Sequence, residues 1–256
     1  SLENNLLPYL GSRPLKDIKP RELLEVLSRI EKRGALDIAG RNRNYCSQIF
    51  RHGIQTDVCE HNPAESLKGA LKPHKTEHFA SIEAKELPEL IQAVQRNDAR
   101  LYPRTRNAIM LSLYLFVRPG ELRRARWSEI DLETGTWSIP ASRMKMKRDH
   151  IVPLSKQAIA ILEELRKETE LLNTDFVFPS QISLRKPMSD GTVINALKKL
   201  GFRDRMTAHG FRALARTTLR EALDYPPDVI EAPLPHKPLG ALGAAYDRAK
   251  FINKRR

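Results

Sequence analysis

Apolar side chains recur at helical spacing through the first part of the chain. Between Pro20 and Arg33 they occupy one face of a predicted helix, which Gly34 ends. From Leu36 to Gly53 the spacing predicts a second helix, and its buried face is predicted to hold Ile38, Tyr45, Cys46, Ile49 and Phe50. The opposite face carries a polar stripe of Arg41, Asn44, Gln48 and Arg51. Spacing alone leaves two interpretations of this stripe, a solvated face or a surface that lies on phosphates.

The periodicity stops after the first helical segments. Residues 72–78 have no apolar anchor and contain a proline, which predicts a basic linker over residues 72–80. The linker separates a small helical domain, residues 1–71, from a larger domain, residues 81–256.

The larger domain alternates between helical and strand-like patterns. Helices are predicted near residues 83–95, 104–116, 155–169, 190–200, 207–223, 227–232 and 239–251. Between them, a period of two over residues 127–131, 136–140 and 150–154 predicts three short antiparallel strands. The predicted fold class is therefore mostly α, with a small three-stranded antiparallel sheet in the second domain.

The overall charge changes the interpretation of these surfaces. The 256 residues include 44 Lys and Arg against 31 Asp and Glu, a formal charge of +13, which favours nucleic acid as the partner. No apolar run reaches the roughly 20 residues of a membrane span, so no membrane partner is expected. Two cysteines without metal or disulfide spacing fit a reducing cytoplasm. Both ends resemble internal sequence, and we expect truncation at each.

Two segments of the second domain bring arginines close to apolar positions. Around residues 207–223, His209, Arg212, Arg216 and Arg220 share the face opposite the apolar one, as on any amphipathic helix. Arg118 directly follows an apolar run and precedes Pro119. A buried arginine needs an anion, and Glu121 supplies it within the protein. A substrate phosphate is the alternative, with Glu121 then orienting the arginine.

Further candidates are weak when each is taken alone. Lys145 and Lys147 lie in a basic hairpin tip, where lysines are usually solvated. His236 and Tyr246 lie in a segment of small residues, where a tyrosine usually packs.

The order of these residues carries more information than any one of them. The candidates follow one another along the chain in a fixed order. Arg118 comes first, with Glu121 three residues later, and Lys145 follows, before Val152-Pro153-Leu154. Then come His209, three residues before Arg212, and His236, ten residues before Tyr246. This order resembles the tyrosine recombinase (phage integrase) family. The local sequence around these residues is similar to that of the P4-type branch of phage and genomic-island integrases, and the resemblance covers nearly the whole chain. Examples are Arg118-Pro119-Gly120-Glu121-Leu122 and Ala208-His209-Gly210-Phe211-Arg212.

The resemblance implies a tyrosine recombinase-like catalytic fold preceded by a small helical core-binding domain. It also implies a catalytic set, namely Arg118, Lys145, His209, Arg212, His236 and Tyr246, with Glu121 as a supporting residue. The polar stripe and the overall charge give the candidate DNA-binding residues, which are Arg41, Asn44, Gln48, Arg51 and Lys147. Tyr246 would form a 3′-phosphotyrosine without ATP, metal or other cofactor. This chain has a proline, Pro235, where the family has a small residue before the histidine.

The implied partners are double-stranded core-type attachment sites, held by a homotetramer on paired sites in a bacterial cytoplasm. DNA-bending and excisionase proteins are the expected accessory factors. Three rival interpretations stay open: a type IB topoisomerase-like enzyme, a catalytically silent DNA-binding regulator, and a metal-dependent nuclease.

Overall fold

The computed structural model describes residues 1–74, 79–144 and 147–221, and the chain divides into two compact units, Ser1–Glu77 and His78–Arg256. The first unit contains short helices α1 (Leu2–Asn5) and α2 (Leu7–Leu10), followed by the long helices α3 (Pro20–Lys32) and α4 (Leu36–Gln55). Pro20 stands in the first turn of α3, where a missing N–H costs no helical hydrogen bond. Leu23, Val26, Leu27 and Ile30 pack against α4, as the spacing predicts.

The buried face of α4 differs from the prediction. Cys46 and Phe50 are buried as expected, but Ile38, Tyr45 and Ile49 are about two-fifths exposed, at 40%, 40% and 39%. The core side of the helix instead consists of Ala39, Asn42, Cys46, Phe50 and Gly53. Small residues at both ends of this row allow close packing, because a Cβ on Gly53 would meet the Cys59 sulfur at 2.8 Å. Hydrogen bonds from the Asn42 amide to the Ile38 carbonyl and the Ser1 hydroxyl allow its burial.

The second unit begins with a 3₁₀ turn, Ala84–Glu86, and helices α5 (Leu87–Arg96), α6 (Pro103–Leu115) and α7 (Pro119–Leu122). After the sheet follow α8 (Lys156–Glu170), α9 (Gly191–Lys199) and α10 (Gly210–Glu221). Helix α6 contacts α5, α7, α8, α9 and α10, which agrees with its nearly all-round apolar sequence. The helices predicted at 227–232 and 239–251 lie outside the described residues.

The sheet has three antiparallel strands in the order β1 (Ile130–Asp131), β2 (Thr136–Ile139) and β3 (His150–Pro153). Its register pairs Ile130 with Trp137, and Trp137 with Val152. The predicted fold class, mostly helical with a small three-stranded sheet, is confirmed. The first strand is shorter than predicted, because residues 127–129 form a 3₁₀ turn. The Trp127 N–H donates to the Asp175 carbonyl (2.8 Å), and the Ser128 N–H to the Asp175 carboxylate (3.0 Å).

The described residues of the second unit form two apolar cores, and Val193 packs against both. One fills the space between the sheet, α6 and α8, and includes Trp137, Ile139 and Phe178. The other joins α5, α6, α9 and α10 through Leu90, Ile109 and Phe211. Arg118 directly follows Val117 of the first core, and His209 lies two residues before Phe211 of the second. Within the described part of the chain, no helix is long and apolar enough to cross a bilayer.

Candidate active site

Arg118 is held at the point where α6 turns into α7. Phe116 has a left-handed backbone (φ 51°) that ends α6, and Val117 is buried behind it. Arg118 is the residue directly before α7, with Pro119 at the first helical position. This geometry anchors the backbone of Arg118 at the edge of the core while its side chain lines a cleft.

The Glu121 carboxylate accepts two hydrogen bonds from Arg118. One carboxylate oxygen accepts the Arg118 backbone N–H at 2.9 Å, and the other accepts the guanidinium Nη1 at 2.8 Å. Glu121 is buried, so the ion pair lies largely out of water. The internal anion expected from the sequence is therefore present. Because Glu121 also holds the backbone, it fixes the direction in which the guanidinium leaves the core.

Arg212, in the first turn of α10, is tied to the same turn. It is buried, and its Nη1 donates to the Phe116 carbonyl, two residues before Arg118. The other two arginines of the predicted polar face, Arg216 and Arg220, are exposed. The polar face of this helix thus divides into a buried arginine near Arg118 and a solvent-facing part.

His209 lies just before α10, which begins at Gly210, three residues later than the sequence predicts. Thr207 causes the difference, because its hydroxyl and carbonyl oxygens both accept the Gly210 N–H at 3.0 Å, and this turn precedes the helix. The pKa of His209 lies below its ordinary value because the ring is partly shielded from water, and because the positive charges of Arg212 and Arg118 are close. Both arginines thus disfavour the protonated form of the His209 ring, and the residue itself is exposed.

A partly buried network connects the Arg118 turn to the sheet. Arg143 follows β2 and donates to the Glu121 carbonyl (3.1 Å) and to the Glu129 carboxylate. The second Glu129 oxygen accepts the indole N–H of Trp137 at 3.1 Å. Arg143 thus fixes the base of the β2–β3 connection to α7.

These elements surround a cleft of about 450 Å³. Its lining includes Arg118, Arg123, Arg124, Arg143 and His209. Two acidic side chains also line it, Glu121, paired with Arg118, and Asp190, whose carboxylate pairs with Arg123 at 2.5 Å. Such an arginine-rich concavity suits an anionic group with several oxygens.

The structure therefore brings together Arg118, Glu121, His209 and Arg212 from the predicted set. Lys145, His236 and Tyr246 lie outside the described residues. Lys147 is exposed in the β2–β3 connection with a left-handed backbone (φ 50°). The first unit carries the α4 stripe, whose four members are all exposed. Arg41 pairs with Asp37 at 2.8 Å, and Asn44 accepts from Arg43 at 2.6 Å.

Three residues of this site were missed by sequence reasoning. Glu129 lies in the first predicted strand and Arg143 two residues before Lys145, but only the fold shows that they bond each other. Phe79 was assigned to the linker, yet its ring stacks on His209 with centroids 4.6 Å apart. An aromatic residue in an otherwise polar segment was its only sequence signal.

Two family descriptions match the chain. The phage integrase family matches residues 80–251, and the phage integrase central domain matches residues 1–70. The integrase of Enterobacteria phage P4 is 34% identical over 270 residues, covering 100% of this chain and 61% of that protein. The chain spans 61–67% of the length of the first curated relatives that it matches.

Solved structures show a similar fold. A lambda integrase (75–356) dimer bound to a COC′ core site has a TM-score of 0.68, 24% identity, and covers 91% of this chain and 84% of that one. A lambda integrase tetramer bound to a Holliday junction has a TM-score of 0.64 at 21% identity, covering 89% and 67%. With the family matches, these findings identify the chain: it belongs to the phage integrase (tyrosine recombinase) family, in the branch of the P4 integrase.

Proposed function

We propose that this chain is the DNA-binding and catalytic part of a site-specific recombinase that integrates or excises a mobile element. The observation that carries the proposal is that Arg118 and His209 line one cleft, with Arg212 bonded to the Phe116 carbonyl two residues before Arg118. Phosphoryl transfer passes through a state with negative charge on the non-bridging oxygens, and two planar guanidiniums can bind these oxygens in bidentate fashion. Arginines in this role contribute about 10³ to 10⁵ in rate.

The remaining roles follow from the residue types. Tyr246 attacks the DNA phosphodiester, forming a 3′-phosphotyrosine and releasing a 5′-hydroxyl, and a second 5′-hydroxyl later reverses this step. His209 accepts the tyrosine proton, and Lys145 donates a proton to the leaving 5′-oxygen. His236 hydrogen-bonds the phosphate, and Glu121 holds Arg118 in position. The phosphotyrosine conserves the bond energy, so the reaction proceeds without ATP or a metal cofactor.

The first unit, through residues 1–71, binds the core-type site in this proposal. Arg41, Asn44, Gln48 and Arg51 form an exposed row on α4 that can follow a phosphate backbone, and the formal charge of +13 supports an anionic partner. Lys147 extends the contact from the second unit. By analogy with the lambda integrase tetramer on a Holliday junction, the working form is a homotetramer on paired sites. It acts on DNA in the bacterial cytoplasm. DNA-bending and excisionase proteins determine whether the element is integrated or excised.

Covalent trapping tests the reaction. The chain, Tyr246→Phe and the matched control Tyr102→Phe are incubated with a randomised pool of nicked duplexes in excess chelator. DNA that stays on the protein in detergent is then sequenced. We expect an adduct from the parent chain and the control, and none from Tyr246→Phe. An adduct that survives Tyr246→Phe, or cleavage that needs a divalent metal, would contradict the proposal.

Strand exchange separates a recombinase from a type IB topoisomerase-like enzyme. Two differently labelled duplexes that carry the trapped sequence are incubated with the chain, and supercoiled plasmid is incubated in parallel. A recombinase gives products that join both labels, whereas plasmid relaxation without joined products would assign topoisomerase chemistry. Binding without any adduct or relaxation would assign a silent DNA-binding regulator.

A further inference from the structure

An exposed aromatic ring outside the predicted catalytic set contacts His209. The Phe79 ring stacks on the imidazole, with centroids 4.6 Å apart and planes inclined by 23°. Phe79 is 63% exposed, so little of its apolar surface is buried in the core. Stacked aromatic pairs have a preferred geometry, so this contact restricts how the His209 ring can turn.

The backbone on both sides of this contact is fixed. The Ala80 carbonyl accepts the Thr207 N–H at 3.0 Å and the Thr207 hydroxyl at 3.2 Å. The Ser81 hydroxyl donates to the Gly210 carbonyl at 2.9 Å. Residues 80–81 therefore lie alongside residues 207–210, and Phe79 reaches His209 from a defined position. This approach requires glycine at 210, because a Cβ there would collide with the Ala80 carbonyl oxygen.

An ion-pair cluster holds the same two segments together further along. The Arg205 guanidinium pairs with Glu86 and Glu89, each at 2.7 Å, and its plane lies over the Phe202 ring. Glu86 ends the 3₁₀ turn after Phe79, and Arg205 precedes the His209 turn. The stack is thus one of several contacts that attach residues 79–89 to the segment carrying His209.

We propose that Phe79 is a positioning residue for His209, holding the imidazole plane over the cleft and keeping water from one face of the ring. This inference rests on the proposed function, in which His209 accepts the Tyr246 proton. Among the described residues, Arg212 and Arg118 are the charged groups that act on the ring, with Glu121 paired to Arg118. Both arginines favour the neutral imidazole, and the stacked ring adds to the shielding that lowers its pKa.

The first arm of the test measures His209 directly, without DNA. The pKa of His209 is followed by NMR, and its signal among the seven histidines is assigned from His209→Gln. We expect Phe79→Leu, whose smaller and non-planar side chain cannot cover the face of the imidazole, to raise the pKa of His209 toward its ordinary value. Phe79→Tyr should restore the parent value. Tyr102→Leu, at an equally exposed position (63%), is the matched control and should leave the pKa unchanged.

The second arm measures DNA cleavage in single turnover against pH. Positioned proton transfer contributes about 10² to 10⁴ in rate, so we expect Phe79→Leu to lose roughly ten-fold and to shift its acid limb to higher pH. In the His209→Gln background, Phe79→Leu should have no further effect. An unmoved His209 pKa in a folded Phe79→Leu protein overturns the proposal, as does an equal rate loss in both backgrounds. If the parent chain cleaves no DNA, the proposed function fails, and the NMR arm still decides the role of Phe79.

Discussion

Removing the Glu129 carboxylate should destabilise the second unit, because two side-chain donors and the Arg126 backbone N–H lose their acceptor at once. The side chain of Glu129 is 9% exposed and bonds Arg143 and the Trp137 indole N–H. Breaking a buried ion pair by removing one partner typically costs about 3–5 kcal/mol. Arg143 retains some contact with water, at 19% exposed, so the lower end applies and Glu129→Ala should lose about 3 kcal/mol. Glu129→Gln keeps shape and one acceptor, and should lose about 1–2 kcal/mol.

The chain provides its own probe for this measurement. Its two tryptophans, Trp127 and Trp137, both lie at the sheet, so their fluorescence reports unfolding of the second unit. Urea titration then gives the free energy of unfolding, and an unchanged slope would show that the denatured state is comparable. In thermal scans, 3 kcal/mol corresponds to roughly 6–12 °C for a unit of this size.

A surface ion pair in the same unit serves as the control. Glu170→Ala breaks the exposed Arg166–Glu170 pair on α8 and should cost no more than about 0.5 kcal/mol. The reasoning fails if Glu129→Ala stays within about 1 kcal/mol of the parent chain. It also fails if Glu129→Gln is as unstable as Glu129→Ala, since the remaining hydrogen bond would then contribute nothing.

Two further predictions concern DNA. A phosphate in the cleft favours the imidazolium form of His209, so the pKa of His209, which lies below its ordinary value in the free protein, rises on binding. The affinity for DNA should therefore increase as the pH falls into the acid range where the imidazole takes up its proton. Fluorescence anisotropy across pH 5–8 should show this gain in the parent chain and not in His209→Gln; an equal gain in both would exclude His209 as its source. If α4 lies on the backbone, Arg51→Ala should lower the slope of log affinity against log salt by about 0.9, whereas Arg21→Ala on α3 should leave it unchanged. An unaltered slope in Arg51→Ala would make the α4 stripe a solvated face.

Periodicity predicts the helices well because each has one face that must be buried. It predicts less well which residues form that face when small side chains are available. Helix α4 illustrates this, since Ala39 and Gly53 bring the backbone close to its neighbours and leave Ile38, Tyr45 and Ile49 on the flank. A count of apolar residues predicts that the larger side chains are buried. Close packing instead buries the small side chains that let neighbouring backbones approach most closely.

The candidate site shows the same division between local and distant contacts. The Arg118–Glu121 pair spans one helical turn and follows from spacing. The Arg212–Phe116 and Arg143–Glu129 bonds join residues far apart in sequence, so no local pattern contains them. Phe79 is the clearest case, because a polar segment with a proline predicts a linker whether or not its last residues dock.

The bonds from Ala80 and Ser81 to Thr207 and Gly210 also set an order for biosynthesis. They span 127 and 129 residues, so these bonds cannot form until Gly210 has left the ribosome. The first unit closes on contacts among its own 77 residues, and domains generally fold as units during synthesis, N-terminal first. A nascent chain can therefore present a folded α4 surface while its His209 turn does not yet exist. Contacts of such long range are also slow to form, because a large loop must close first. The cleft is therefore expected to assemble late in the synthesis and folding of the chain.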